Sequence, residues 1–290
     1  MIREIQAKTL LATVKGEDHL FGLKYNLNLY RGCEHQCIYC DSRSSCYGIE
    51  NFRDVLVKVN ALELLEKELN RKRVKGTVGF GAMSDPYTPA EQRYQLTGQA
   101  LAILARHGYP AHLITKSDLI LKDIETLVLV NQVHASVCFT LTTVDDDLAR
   151  KVEPGAPSPT RRLKAMAALA ERGIPVGVTL MPVLPFIEDS VENITRIATE
   201  TAAHGGSFIL PWFGMSLRDR QREYYYEQLD RLFPGLRQKY TLRFGERYSC
   251  PANQANLLEQ EFRKLCARLG IATRVKSYQP QAQASQPALF

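Results

Sequence analysis

Six short apolar runs, each separated from the next by a stretch of helical period, constrain this 290-residue chain more than any other feature. The runs cover residues 25–30, 77–81, 111–115, 135–141, 176–181 and 207–210, and they read as strands. Between them, apolar residues recur three or four apart, as in Leu62, Leu65 and Leu69, in Leu96, Ala100 and Ile103, and in Leu163, Met166 and Ala170. Gly108 and Gly173 follow helical runs, with Pro110 and Pro175 two residues on, which is how helices stop. Regular alternation of this kind predicts an α/β fold, a parallel sheet built from right-handed βαβ units. Functional residues are then expected at the carboxyl ends of the strands.

The end of the first run carries Cys33-Glu-His-Gln-Cys37-Ile-Tyr-Cys40. Three thiolates so close in sequence can hold one face of a cube-shaped iron–sulfur cluster, normally bound by four, and would leave one iron open. The same residues also admit a structural zinc site with Cys46 as fourth thiolate. A disulfide framework fits poorly, because seven cysteines is an odd number and no secretory signal is visible.

Hydrophobic residues make up 45% of the chain, enough for a sizeable core. No run approaches the ~18 apolar residues of a membrane span, so the expectation is a cytoplasmic enzyme. A net charge of +6 is mildly basic. Arg71-Lys-Arg-Val-Lys75, Arg161-Arg162 and Arg218-Asp-Arg-Gln-Arg222 are candidate phosphate contacts, each equally readable as a solvated face.

The CxxxCxxC spacing with an aromatic before the last cysteine resembles the signature of the radical S-adenosylmethionine (SAM) superfamily. That resemblance implies an incomplete (β/α)6 barrel, a [4Fe-4S] cluster on Cys33, Cys37 and Cys40, and SAM chelated to the open iron. It also implies a low-potential reductant of the flavodoxin or ferredoxin type. By the same resemblance, Tyr39 sits near the adenine and Ser84 and Asp85 bind the amino group of SAM; Lys116, a point charge at a strand end, and Thr140 suit its carboxylate, with Thr142 a second candidate, unless Lys116 merely caps the barrel rim. Gly177 would let adenine approach the fifth strand or would serve packing. Pro211-Trp-Phe213 would close the pocket or join the core. A narrower likeness runs from about residue 25 to 211. Tyr30-Arg-Gly-Cys33, Met83-Ser-Asp-Pro-Tyr-Thr-Pro-Ala-Glu91, Ile114-Thr-Lys-Ser117 and Glu153-Pro-Gly-Ala-Pro-Ser158 are similar to the spore photoproduct lyase-like branch, which implies DNA or RNA as substrate.

Two positions depart from that branch. Its lyases carry a hydrogen-donating cysteine just before the Ser-Asp pair and a tyrosine after the last cluster cysteine; this chain has Ala82 and Asp41 there. Cys138, within the fourth run, is a weak candidate for the missing thiol, depending on which way it faces. A radical enzyme acting on a peptide or small metabolite and a zinc-bearing adaptor for a DNA clamp remain open.

Residues 1–212 are expected to form the barrel, 213–276 an α-rich extension closing it, and 277–290 a flexible tail. Arg243, Arg247 and Tyr248 in the extension are candidate substrate contacts. The ending Gln286-Pro-Ala-Leu-Phe290 is similar to short peptides that dock bacterial sliding clamps through apolar anchors.

Overall fold

The computed structural model describes residues 1–49, 51–52 and 54–280. The Gln286–Phe290 peptide, and with it the expected sliding-clamp contact, lies outside the described residues.

The amino-terminal third contains β1 (Ile2–Ile5), β2 (Leu11–Thr13), β3 (Leu23–Leu27), β4 (Tyr30–Arg31), β5 (Val55–Lys58) and helix α1 (Ala61–Leu69). The regular part follows: β6 (Thr77–Phe80), α2 (Glu91–Tyr94), α3 (Leu96–His107), β7 (Ala111–Thr115), α4 (Ile124–Asn131) and β8 (Ala135–Thr140). It continues through α5 (Asp146–Val152), α6 (Pro159–Glu171), β9 (Val176–Leu180), α7 (Val191–Ala203) and β10 (Phe208–Pro211). The last stretch holds β11 (Gly214–Ser216), α8 (Gln221–Leu232), α9 (Leu236–Phe244), β12 (Ser249–Pro251) and α10 (Ala255–Leu269).

The main sheet has seven strands in the order β10-β9-β8-β7-β6-β3-β2. Every pairing from β3 to β10 is parallel, and β2 joins antiparallel at one edge. The two edge strands do not pair with each other, so the barrel is open, as the family resemblance implies. At the β10 edge the backbone of Ala272 exchanges hydrogen bonds of 2.9 Å with Ser207 and Ile209.

All six predicted strands enter this sheet, but the first runs differently from its expected course. The alternating stretch breaks after Leu27; Tyr30 and Arg31 then pair with β5 in a separate three-stranded sheet, order β1-β5-β4. A period of two reports which faces are buried and says nothing about which strand lies alongside. β1 was invisible to hydrophobic patterning because most of its side chains are exposed and its pairing is carried by backbone bonds.

Along β8 every residue is buried. Val137 and Phe139 join the large core under the helices, whereas Cys138 packs with Phe208, Leu210, Ile114 and Met181 inside the barrel. This two-sided burial explains why the strands read as continuous apolar runs. Helices α3 and α6 lay Leu101, Leu104, Met166 and Leu169 on the outer face. Ser158 caps α6 through its Oγ, with Pro159 at the first helical position. Among the described residues no helix is long and apolar enough to cross a membrane.

Candidate active site

The cysteine loop leaves β4 and lies clamped between two later segments. On one side the Glu34 carboxylate accepts from the Ala90 amide at 2.7 Å and the Thr88 hydroxyl at 3.3 Å. On the other, the Ile38 amide donates to Val152 O and the Gly155 amide to His35 O, each at 2.9 Å. A Cβ on Gly155 would come within 2.2 Å of Glu34 O, so only glycine permits this approach. Within the loop, Gln36 adopts a left-handed backbone conformation and its Nε2 donates to Cys33 O at 2.7 Å.

So held, Cys33, Cys37 and Cys40 line one cavity of about 260 Å3, together with Tyr39, Ser84, Asp85, Lys116, Thr140 and Trp212. The wall residues come from the loops after β4 and β6, from the carboxyl ends of β7 and β8 with Lys116 just beyond β7, from the residues just past β9 and β10, and from β11. The cavity therefore sits at the carboxyl ends of the sheet strands. Two buried polar atoms at its wall, Ser84 Oγ and His35 Nε2, have no hydrogen-bond partner. Orphaned donors beside three convergent thiols fit a polar ligand next to a thiolate-bound group, since burying such atoms unpaired is costly.

Cys46 does not join the other three. It is exposed, outside the cavity lining, and its Sγ accepts from Ser44 and Arg218 at 3.3 Å each. The tetrahedral zinc reading thus loses its fourth thiolate.

Asp85 is in the wall, but its carboxylate is fully engaged by the protein. It accepts from the Thr115 hydroxyl at 2.6 Å, the Lys116 amide at 2.7 Å and the Tyr87 amide at 2.9 Å, and faces His35 Nδ1 at 3.3 Å. Burial would raise its pKa, but His35 and these donors outweigh it and hold the group down at about 2. His35 is correspondingly raised: burial opposes its charge, yet Cys33 and Asp85 lift it to about 10. Cys33 is lowered against the effect of burial by the same imidazole. Asp85 thus orients His35 and the start of the Lys116 loop.

Lys116, Tyr39 and Glu153 form a buried network that sequence reasoning missed. The Tyr39 hydroxyl donates to Glu153, whose other oxygen pairs with Arg162 Nη2 at 2.5 Å. Lys116 Nζ lies 3.9 Å from Glu153 and 5.6 Å from the Tyr39 ring centre. Burial opposes ionisation of Glu153, but Arg162 and Lys116 overcome it and keep its pKa low. Arg162, by sequence a candidate for binding phosphate, is instead 1% exposed and donates to Thr140 O and Pro157 O at 2.9 and 2.8 Å. The only sequence signal was a glutamate in a Pro-Gly turn and an arginine on the apolar side of α6.

Thr140 lines the cavity, its Oγ1 3.0 Å from that of Thr179. Thr142 does not line it: its hydroxyl donates to buried Glu188 at 2.7 Å. Cys138 faces the barrel interior, but in the apolar cluster on which the wall residues Ile114 and Met181 pack, and burial pushes its thiol pKa up. Gly177 serves packing, since a Cβ there would meet Phe208 O at 2.3 Å. Trp212 lines the cavity and is 42% exposed, whereas Phe213 stacks edge-on with Phe262.

Arg243, Arg247 and Tyr248 lie outside the cavity lining. Arg247 donates to the carbonyls of Phe244 and Arg243, and Tyr248 accepts from Arg218 at 2.9 Å. The basic run 71–75 precedes β6 and so lies at the amino ends of the strands, away from the cavity. Arg222 is buried on the carbonyls of Leu217, Gly245 and Arg247.

The model of the Radical SAM superfamily matches residues 27–198. An uncharacterized protein of Mycobacterium tuberculosis is 31% identical over 270 residues, 90% of this chain and 79% of its own. A radical SAM Nα-GlyT isomerase of Pseudomonas phage M6 is 24% identical over 181 residues, 62% of this chain and 37% of its own. Among solved structures, spore photoproduct lyase complexed with dinucleoside spore photoproduct superposes with a TM-score of 0.71 at 15% identity, covering 93% of this chain and 81% of that one. At that identity the likeness speaks for the fold.

Proposed function

As this chain belongs to the radical SAM superfamily, whose model spans residues 27–198, we propose that it uses a [4Fe-4S] cluster and SAM to repair or modify a nucleic acid. The observation that carries the reading is the convergence of Cys33, Cys37 and Cys40 on one cavity at the carboxyl ends of the strands. When bound, the cluster and SAM would supply a 5′-deoxyadenosyl radical, formed by one-electron cleavage with a flavodoxin- or ferredoxin-type donor; that chemistry belongs to the cofactor.

The protein's part is to bind and orient. Ser84 offers an unpaired hydroxyl to the ligand, and Lys116, held in place by Glu153, offers a cation for a carboxylate. Tyr39 and Trp212 give apolar walls suited to a purine. Asp85 acts through His35 and Lys116. A nucleic-acid substrate is supported by the fold shared with spore photoproduct lyase, solved with a dinucleoside lesion bound. Ala82 and Asp41 line the cavity, and the only thiols among its lining residues are the three cysteines proposed to hold the cluster. A thiol-dependent return of hydrogen as in the lyases therefore has no residue to carry it at the wall, and the reaction we favour is a radical modification. A reducing, cytoplasmic setting suits seven free cysteines.

The test is anaerobic reconstitution with iron and sulfide, reduction, and chromatography of 5′-deoxyadenosine from SAM, alone and with damaged or undamaged oligonucleotides. Formation stimulated by an oligonucleotide and abolished in Cys33→Ala is expected. Cleavage of SAM without any salt-dependent binding of DNA or RNA would move the substrate to a peptide or metabolite. Absence of cleavage under all conditions would overturn the reading.

A further inference from the structure

A second hollow, of about 340 Å3, opens where β1, β3 and β5 end. Lys8, Arg31 and Lys58 line it with Gln6, Asn28 and Met83, and no carboxylate is among its lining residues. Two of its cations are held in place by the backbone. Lys58 is half-buried and donates from Nζ to Asn28 O at 2.6 Å, while Arg31 Nη2 is fastened to the carbonyls of Tyr47 and Gly48 at 3.1 and 3.0 Å.

Two buried or half-buried cations elsewhere in the fold face carboxylates: Arg162 faces Glu153, and Lys122 faces Glu91 at 3.3 Å. Among the described residues none of the three cations in the hollow is in an ion pair. Burial lowers the pKa of Lys58, and the neighbouring charge of Arg31 lowers it further. Holding two cations together in a partly desolvated hollow is unfavourable unless an anion completes it. The guanidinium N–H groups not spent on Tyr47 and Gly48, and the ammonium, suit phosphate oxygens as charge-assisted donors.

Met83 lines both this hollow and the cysteine cavity. An anion held here is therefore one side chain from the reacting centre. We propose that the hollow formed by Lys8, Arg31 and Lys58 is a phosphate subsite, which grips a backbone phosphate of the nucleic-acid substrate while the adjoining nucleotide is presented to the cysteine cavity. The identity of the polymer rests on the functional reading above; the preference for phosphate rests on the hollow itself.

The test is fluorescence anisotropy of the full-length, cluster-loaded protein with labelled oligothymidylate and oligouridylate over a range of salt. Lys8→Gln/Lys58→Gln is expected to bind about tenfold more weakly, with the slope of log affinity against log salt reduced by ~0.7 for each single-strand phosphate that is no longer neutralised. Lys58→Arg, which keeps the charge, should bind like the wild type, and Lys8→Gln alone alters an exposed side chain and serves if the double variant folds poorly. Wild-type affinity and slope in a folded double variant would overturn the subsite. If the wild-type protein binds neither oligonucleotide, the nucleic-acid reading fails, and calorimetric titration with inorganic phosphate decides the rest. Phosphate binding that disappears in the double variant would retain the subsite for a phosphorylated small molecule, and no phosphate binding would overturn it.

Discussion

Glu153→Gln is expected to damage this protein more than its distance from the cysteine sulfurs suggests. The carboxylate is 2% exposed and is the anion for two cations, Arg162 at 2.5 Å and Lys116 at 3.9 Å, while also accepting from Tyr39. Removing one member of a buried pair costs ~3–5 kcal/mol, because the other charge is left without compensation. Arg162 retains the carbonyls of Thr140 and Pro157, and Lys116 is partly accessible to water, so the lower end, about 3 kcal/mol, applies. For 290 residues, an unfolding entropy of ~2.1 cal/mol/K per residue gives about 0.6 kcal/mol per degree, so the melting temperature should fall by about 5 °C. Thermal denaturation followed by circular dichroism measures this. The Glu153→Gln/Arg162→Met double variant should lose less than the sum of the singles, by ~2 kcal/mol of coupling, since the orphaned charge is gone. A melting temperature within a degree of wild type for Glu153→Gln, or strict additivity in the double variant, would refute the reasoning.

Gly155→Ala places a methyl group against Glu34 O and should prevent the cysteine loop from docking, seen as loss of most of the reconstituted iron relative to wild type. Ser84→Ala should weaken SAM binding about fivefold, the worth of roughly one hydrogen bond, whereas Thr142→Ala, whose hydroxyl is spent on Glu188, should leave it unchanged; equilibrium dialysis with SAM distinguishes them, and equal effects would argue against the assignment. Glu188 is raised to about 8, by burial first, against the hydrogen bonds from Thr142 and the Leu184 amide and with Glu153 and Asp189 adding to the rise. Between its ordinary value of 4.5 and about 8 the folded state binds the extra proton, so this group's contribution to stability falls as pH rises. Glu188→Gln lacks that dependence, and its melting temperature relative to wild type should climb from about pH 5 to about pH 8; a constant difference would contradict the burial argument.

How much of this was legible beforehand depends on whether local pattern or distant partners set a residue's role. The six strands of the parallel sheet and the cysteine loop were visible because burial on both faces leaves continuous apolar runs, and because the three thiols proposed to hold the cluster lie within eight residues of sequence. The switch of Tyr30 and Arg31 into a second sheet was not, since alternation does not name the neighbouring strand.

The chain's own order of residues thus determined the α/β class, the parallel sheet and the location of chemistry at the strand ends, all consequences of local period and of short-range spacing. Tertiary structure alone decided which polar groups at those ends are free. Asp85 and Thr142 look like ligands in sequence but are spent on Thr115, Lys116 and Glu188, whereas Ser84 remains unpaired. Arg162 looks like a surface cation in sequence and is the buried partner of Glu153 in the fold. Lys8, Arg31 and Lys58, scattered over fifty residues, became one hollow. Hydrogen bonds and charge pairs join groups far apart along the chain, so their satisfaction is a property of the folded arrangement and cannot be read from neighbours in sequence.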